Sequence, residues 1–303
     1  MLNKRIELQA LHRQGKQFPV EMTISPLRLG QGYRFNAFVH DITERKQAED
    51  KLKTFANRLE RSNRELESFA SVASHDLQEP LRKIQAFGGR LEAKCAGQLA
   101  PEGADYLARI QNAAGRMRTL IDDLLAFSRV TTKAQPFMAV DLGRVAREVV
   151  SDLEERIRST SGKVEVGELP TVEADPTQMR QLLQNLIGNA LKFHRPEEPP
   201  VVRVEGKIAP SSASGNGRPV PSCLLLVADN GIGFDEKYLG RLFQVFARLH
   251  GREAYEGTGM GLAICRKIAE RHGGSITARS APGQGATFIV TLPVQQLHRG
   301  EAP

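Results

Sequence analysis

The sequence predicts an α+β chain in three parts. These are a short antiparallel sheet, a helical hairpin that pairs with a second copy into a dimeric four-helix bundle, and an α/β sandwich. Three observations predict this. Apolar and polar residues alternate up to Asp41, a seven-residue apolar repeat takes over after it, and strand-like and helix-like segments alternate over 137–297. The 303 residues, 40% hydrophobic and 25% charged, suffice for about two domains and exclude disorder throughout.

The same composition removes several classes of function. No apolar run approaches the roughly 18 residues of a membrane span, the longest being short ones such as CLLLVA at 223–228. The N-terminus MLNKRIELQALHRQ is amphipathic and has no apolar signal core, so neither export nor membrane insertion is expected. Cys95, Cys223 and Cys265 lie far apart, with no metal-ligand spacing, which fits a reducing cytoplasm. The net charge of +7 comes without a dense Lys/Arg block, without Trp and with four scattered Tyr. Nucleic acid is therefore not an expected partner.

Taken in order, RIELQALHR, FPVEMTISPL and YRFNAFVHD read as three antiparallel strands separated by GKQ and GQG. DITERK then offers Asp41 or Thr43 as a helix cap with Glu44 in the first turn. Leu52, Leu59 and Leu66 recur every seven residues, and Ala48, Phe55, Ser62 and Phe69 recur at a second offset. The two seams favour a parallel coiled coil, with one amphipathic helix packed on its own chain as the alternative. The helix continues through FASVASHDLQEPLRKIQAFGGRLEAKC, turns at AGQLAPEG and returns through YLARIQNAAGRMRTLIDDLLAFSRV. Tyr106, Ile110, Ala113, Met117, Leu120, Leu124 and Phe127 mark its apolar face. One hairpin supplies two helices, so a bundle needs two chains.

After the linker TTKAQP, the strands FMAVDL, KVEVGE, TVEA, VVRVEGKI, SCLLLVAD, GSITARS and ATFIVTLP alternate with three helices. The helices are LGRVAREVVSDLEERI, DPTQMRQLLQNLIGNALKFH and MGLAICRKIAERHG, which predicts helices on one face of a sheet. The segment APSSASGNGRPVP reads as an inserted loop of low complexity.

Five short strings carry candidate chemistry. Asn185, Asn189 and Lys192 share one helix face; they form either a solvated polar face or an Mg²⁺ and phosphate set. Asp229 ends a strand and opens DNGIGF, where Gly231 and Gly233 admit a planar ligand or simply make a turn. GTGMG at 257–261 opens a helix, whose unpaired amides favour an anion. Its spacing matches neither a Walker loop nor a Rossmann turn. RLHGREAYE before it reads as a lid hinged on those glycines. GQGATF precedes the last strand and brings the hydroxyl of Thr287. His75, beside Asp76 and five residues before Pro80, is either a surface histidine or a nucleophile oriented by its neighbour.

ASHDLQEPLR, NLIGNALKF, DNGIGF, GTGMGLAI and GQGATF occur in one direction along the chain. Together they make residues 65–297 resemble the sensor histidine kinases of two-component systems. SHDLQEPL with FARLHGREAYEGTGMGLAI looks most like the subgroup that includes bacteriophytochrome kinases. The first residues, ending in DITERK, are similar to the closing strands of a PAS domain.

The resemblance implies a PAS fragment at 1–43, a coiled-coil linker at 44–68, a dimerisation and histidine phosphotransfer domain at 69–132, an ATP-binding domain of Bergerat (GHKL) type at 137–297 and a tail at 298–303. It implies that His75 takes the γ-phosphoryl of ATP with Asp76 as base and orienting partner. It assigns Mg²⁺ to Asn189, supported by Asn185 and Lys192, and the adenine amine to Asp229, with Gly231, Gly233 and Thr287 around the base. Gly257, Gly259 and Gly261 would border the phosphates, with Phe193, Arg248 and Thr258 as further contacts. Phe243 and Phe246 would pivot the lid. The implied partners are a second copy of the chain and the receiver domain of a separate response regulator. Glu79 stands where many members place Thr or Asn for phosphatase action, so the resemblance does not carry that activity over. The front half of a PAS domain is not present, so no sensory cofactor is expected. Another ATPase or serine kinase of the same fold, or a non-catalytic dimer scaffold, would share the nucleotide motifs or the fold without needing His75.

Overall fold

In the computed structural model of the chain, residues 4–29, 32–95, 98–132, 135–210, 221–249, 255 and 257–296 are described, without the side chains at 29, 60, 62–64, 66–73, 75 and 132. Several expectations lie outside these residues: the loop at 211–220, most of the lid at 250–254 and 256, the tail at 298–303 and the seam side chains of Ser62, Leu66 and Phe69. The chain divides into two compact units, Met1–Leu66 and Glu67–Pro303.

In the first unit β1 (Arg5–Leu11), β2 (Gln17–Leu29) and β3 (Gly32–Asp41) form the predicted antiparallel sheet in that order. Helix α1 (Thr43–Lys94) starts where expected, because the Asp41 carboxylate accepts from the Thr43 amide at 2.9 Å and so caps the first turn. Ile42 and Val20 are buried at this corner, whereas every residue of β3 is exposed. Leu52, Phe55 and Leu59 are also exposed, so these three seam residues are not covered by the described residues.

In the second unit the later turns of α1 pair with α2 (Pro101–Thr132). The helix runs on through Pro80, which removes only its own N–H from the ladder. The hairpin buries Leu81, Leu107, Ala114 and Leu125, and Gln78 donates to Asp122 across it at 2.7 Å. Tyr106, Ile110 and Met117, from the face read as apolar, stay exposed, as do Leu77, Ile84 and Leu91 at seven-residue steps on α1. Two helices can bury only the stripe between them, and this second stripe is what a further pair of helices would cover.

The sandwich begins with β4 (Met138–Asp141), α3 (Leu142–Asp152), α4 (Glu154–Ser159), β5 (Lys163–Val166), β6 (Thr171–Ala174) and α5 (Pro176–Lys192). It continues with β7 (Val201–Ala209), β8 (Ser222–Asp229), α6 (Leu239–Leu242), α7 (Gly261–Arg271), β9 (Ser275–Ser280) and β10 (Ala286–Pro293). The main sheet has the order β5-β7-β8-β10-β9, with only β5 and β7 parallel, and β4 pairs with β6 separately. Cys223, Leu225 and Val227 of β8 and Phe288, Val290 and Leu292 of β10 alternate inward. They meet Met179, Leu182, Leu183, Leu186 and Ile187 of α5 and Ile264 and Ile268 of α7 in one core. The helix expected over 142–157 is interrupted at Leu153, which leaves helical geometry at φ −95°, ψ 7° while packing against the core.

The start of α5 is fixed by a polar node. Asp175 caps it through the Thr177 and Gln178 amides at 3.0 and 3.2 Å. Buried His272 accepts from the Asp175 amide at Nε2 and donates from Nδ1 to the Ile268 carbonyl, and burial lowers its pKa. Gln178 donates to the Val130 carbonyl at 2.7 Å, which anchors the end of α2 on the sandwich.

Candidate functional site

A cleft of about 260 Å³ opens among the end of β8, one face of α5, the start of α7 and the side of α2. Asp229 is carried to one end of it by the apolar strand β8. Its Oδ1 accepts from the Gly231 amide at 2.8 Å and the Ala286 amide at 3.2 Å. Both bonds use one oxygen, which leaves Oδ2 to receive a donor such as an amine. Burial raises the carboxyl to about 6, against the pull of those two amides. Ile232, Phe234, Ala286 and Phe288 make the surrounding wall apolar.

The loop geometry there depends on glycine. A Cβ on Gly231 would meet the Phe193 carbonyl oxygen at 2.3 Å. One on Gly285, where φ is +78°, would meet the Asp229 carbonyl oxygen at 1.9 Å. The Ile232 amide donates to the Phe193 carbonyl at 2.9 Å and the Gly283 amide to the Ile232 carbonyl at 2.7 Å, so the two loops are tied through their main chains.

Asn185, Asn189 and Lys192 recur at four- and three-residue steps on α5, and all three line the cleft, as the spacing predicts. The buried Asn185 Nδ2 donates no hydrogen bond among the described residues, a cost that a polar ligand in the cleft would relieve. The Lys192 ammonium lies 4.2 Å from the Phe193 ring centre. Gly257, Thr258, Gly259 and Gly261 line the far end, where α7 starts without a side-chain cap and leaves its first amides for an anion. Arg248 holds this segment, donating to the carbonyls of Gly257 and Tyr255, and the Tyr255 ring packs 5.0 Å from that of Phe193.

The arrangement can therefore receive an amine-bearing planar group at Asp229, a hard cation at amide oxygens of α5, and a polyanion at the glycine segment. Four positions differ from the sequence expectation. Gly231 does not line the cleft; it lets the Phe193 carbonyl approach from behind. Thr287 does not line it either, because strand alternation gives that face to Ala286 and Phe288. The presumed lid pair divides: Phe243 is buried in the core, whereas Phe246 is exposed at φ +63°. His75 lies within α1, with its side chain outside the described residues; Asp76 next to it is exposed. Thr119 and Asp123 of α2 reach the cleft unannounced by any motif, since on a polar helix face they look like solvated residues.

Comparison with known proteins accounts for both parts of the second unit. Residues 174–296 match the histidine kinase-, DNA gyrase B-, and HSP90-like ATPase family. Residues 65–133 match the His Kinase A (phospho-acceptor) domain. Cyanobacterial phytochrome A of Nostoc sp. is 43% identical over 81% of this chain and 31% of its own length. The phytochrome-like protein Cph1 of Synechocystis sp. is 39% identical over 82% of the chain and 32% of its own. The chain thus spans about a third of the length of these curated relatives. The crystal structure of full-length ShkA in complex with AMPPNP superposes with a TM-score of 0.54 at 27% identity, covering 74% of this chain and 45% of that one. An ATPase domain of this family, preceded by a phospho-acceptor domain whose helix carries His75, makes the chain a member of the sensor histidine kinase family.

Proposed function

We propose that the chain is an ATP-dependent histidine autokinase that phosphorylates His75 and passes the phosphoryl group to an aspartate on the receiver domain of a separate response regulator. The observation that carries this reading is a single cleft with a half-buried carboxylate at one end and a glycine-bordered helix start at the other. That spacing of functions suits adenine and triphosphate respectively. The AMPPNP bound by ShkA supports the same choice of ligand.

Asp229 accepts the adenine amine, and the apolar wall of Phe234 and Phe288 covers the base. Lys192 and Arg248 meet phosphate charge, and the first amides of α7 cradle it. The donor set fits a magnesium ion with its phosphates: Asn189 would hold the ion through its amide oxygen, and Asn185 Nδ2, which has no acceptor among the described residues, would donate to a phosphate oxygen beside it. When bound, the ion would neutralise phosphate charge. At the acceptor, the lone pair of one His75 nitrogen forms the N–P bond as the bond from the γ-phosphorus to its bridging oxygen breaks and ADP leaves. The proton on the other ring nitrogen is held by Asp76.

The exposed stripe Leu77, Ile84, Leu91, Tyr106, Ile110 and Met117 supports a homodimer through a four-helix bundle at 69–132, and exposed Leu52, Phe55 and Leu59 support a coiled coil at 44–68. The strands before them are read as the end of a PAS domain at 1–43, and 137–297 as the catalytic domain. Among the described residues no helix is long and apolar enough to cross a membrane.

The test is incubation of the full chain with γ-labelled ATP. Acid-labile, alkali-stable label is expected on the wild type, transferable to a receiver domain, and absent from His75→Ala. Equal label on His75→Ala would rule the reading out.

A further inference from the structure

The far end of the cleft holds one group of the wrong sign. Among the described lining residues the carboxylates are Asp123 and Asp229, and Asp229 belongs to the opposite end. Asp123 comes from α2 of the hairpin, yet its Oδ2 accepts from the hydroxyl of Thr258, inside the glycine segment that borders the phosphates. Its neighbour Asp122 is tied to Gln78 of α1, three residues beyond His75. The glycine segment is thereby fastened to the hairpin at the level of the phospho-acceptor turn.

We propose that Asp123 is an anionic catch that competes with the terminal phosphates of the nucleotide for Thr258, so that binding ATP and releasing the ATPase domain from α2 are one event. This rests on the autokinase reading above. Two physical facts make the contacts exclusive. A threonine hydroxyl has one proton to donate, and it is committed to Asp123 here. A carboxylate and a triphosphate also repel one another in a half-buried cleft, where charges are poorly screened. Burial raises the Asp123 pKa, with the Thr258 bond opposing that rise and the neighbouring Asp122 adding to it. Lys192 and Arg248 stay with the site in either state, whereas Asp123 leaves with the hairpin. By linkage, whatever loosens the catch tightens ATP, and ATP loosens the catch by the same factor.

Calorimetry of the full chain with ATP and with adenosine tests this on the wild type, Asp123→Asn and Asp123→Ala. Both variants are expected to bind ATP about fivefold more tightly, as removal of one like charge from a partly screened site would give, and adenosine within about twofold of the wild type. Unchanged or weaker ATP binding overturns the catch, the weaker case making Asp123 a ligand of the bound complex. An equal gain for adenosine also overturns it, since that would be a change in pocket shape. A wild type that binds no ATP defeats the autokinase reading together with the catch; a wild type that binds it and variants that match it defeat the catch alone.

Discussion

At the adenine end of the cleft, glycines are packed against main chain: Gly231 against the carbonyl of Phe193, Gly233 against that of Ala281, Gly285 against that of Asp229. At the phosphate end the holding contacts come from side chains. Lys192 stands beside Gly257, Arg248 grips the carbonyls of Tyr255 and Gly257, and Asp123 holds Thr258. Gly259 does face a carbonyl, that of Ala247, on the lid's own flank. Main-chain contacts cannot exchange partners without refolding the loop, whereas side-chain contacts swap by rotamer. On the proposed reading, the difference would give selection of the base to a fixed frame and admission of phosphate to contacts that can be traded.

The largest effect should come from breaking the fixed frame. Gly285→Ala puts a Cβ 1.9 Å from the Asp229 carbonyl oxygen at a residue with φ +78°. Neither neighbour can give way, so a loss of roughly 3–4 kcal/mol is expected in urea unfolding, together with loss of nucleotide binding. A stable Gly285→Ala protein that still binds ATP would remove the distinction between the two ends.

Asp229→Asn separates recognition from stability at the same end. The amide oxygen can keep both bonds from Gly231 and Ala286 while the charge disappears. ATP affinity should fall about 10- to 100-fold, the value of a hydrogen bond to a charged acceptor. The unliganded fold should not weaken. The carboxyl is raised from 3.8 to about 6 by burial, so its favourable contribution is complete below 3.8 and is lost as pH rises through 6. The variant's melting temperature should therefore exceed that of the wild type by about 5 °C near pH 8, and the gain should shrink as pH falls through 6. Over the same interval wild-type affinity for ATP should drop as the acceptor takes a proton. A variant that melts earlier at both pH values would contradict the assignment of burial as the dominant cause.

Gly257→Ala probes the tradable end. Its φ is +132°, but the contact a Cβ would make is with the Lys192 ammonium, the far end of a flexible side chain. The expected cost is about 1 kcal/mol in stability and a few-fold in ATP affinity, far below that of Gly285→Ala. Parity between the two substitutions in paired titrations would mean that the phosphate end is as fixed as the base end.

Much of this was legible before the structure. The α5 face was readable because helical spacing alone brings Asn185, Asn189 and Lys192 together, and Asp229 because an apolar strand ends directly on it. The hairpin's outer stripe was readable as periodicity, but not its division into a buried and an exposed set, which depends on how many helices one chain supplies. Asp123 was illegible for a different reason. Its role comes from a contact 135 residues away, and nothing local on α2 distinguishes it from Asp122, which faces Gln78 instead.

Thr287 is the smallest expected effect and bears on the adenine end. A hydroxyl two residues after Gly285 in GQGATF invites assignment to the base. In β10, however, Ala286 and Phe288 take the cleft face, and Thr287 pairs with Ala228 and Arg279 on the strands to either side. What the cleft uses of this stretch is the Ala286 amide on Asp229, a main-chain group that substitution at 287 leaves in place. Thr287→Val, β-branched and close in volume, should therefore bind ATP within about twofold of the wild type in calorimetry. A tenfold loss would mean that the strand's outer face reaches the ligand, and the frame would then depend on a side chain after all.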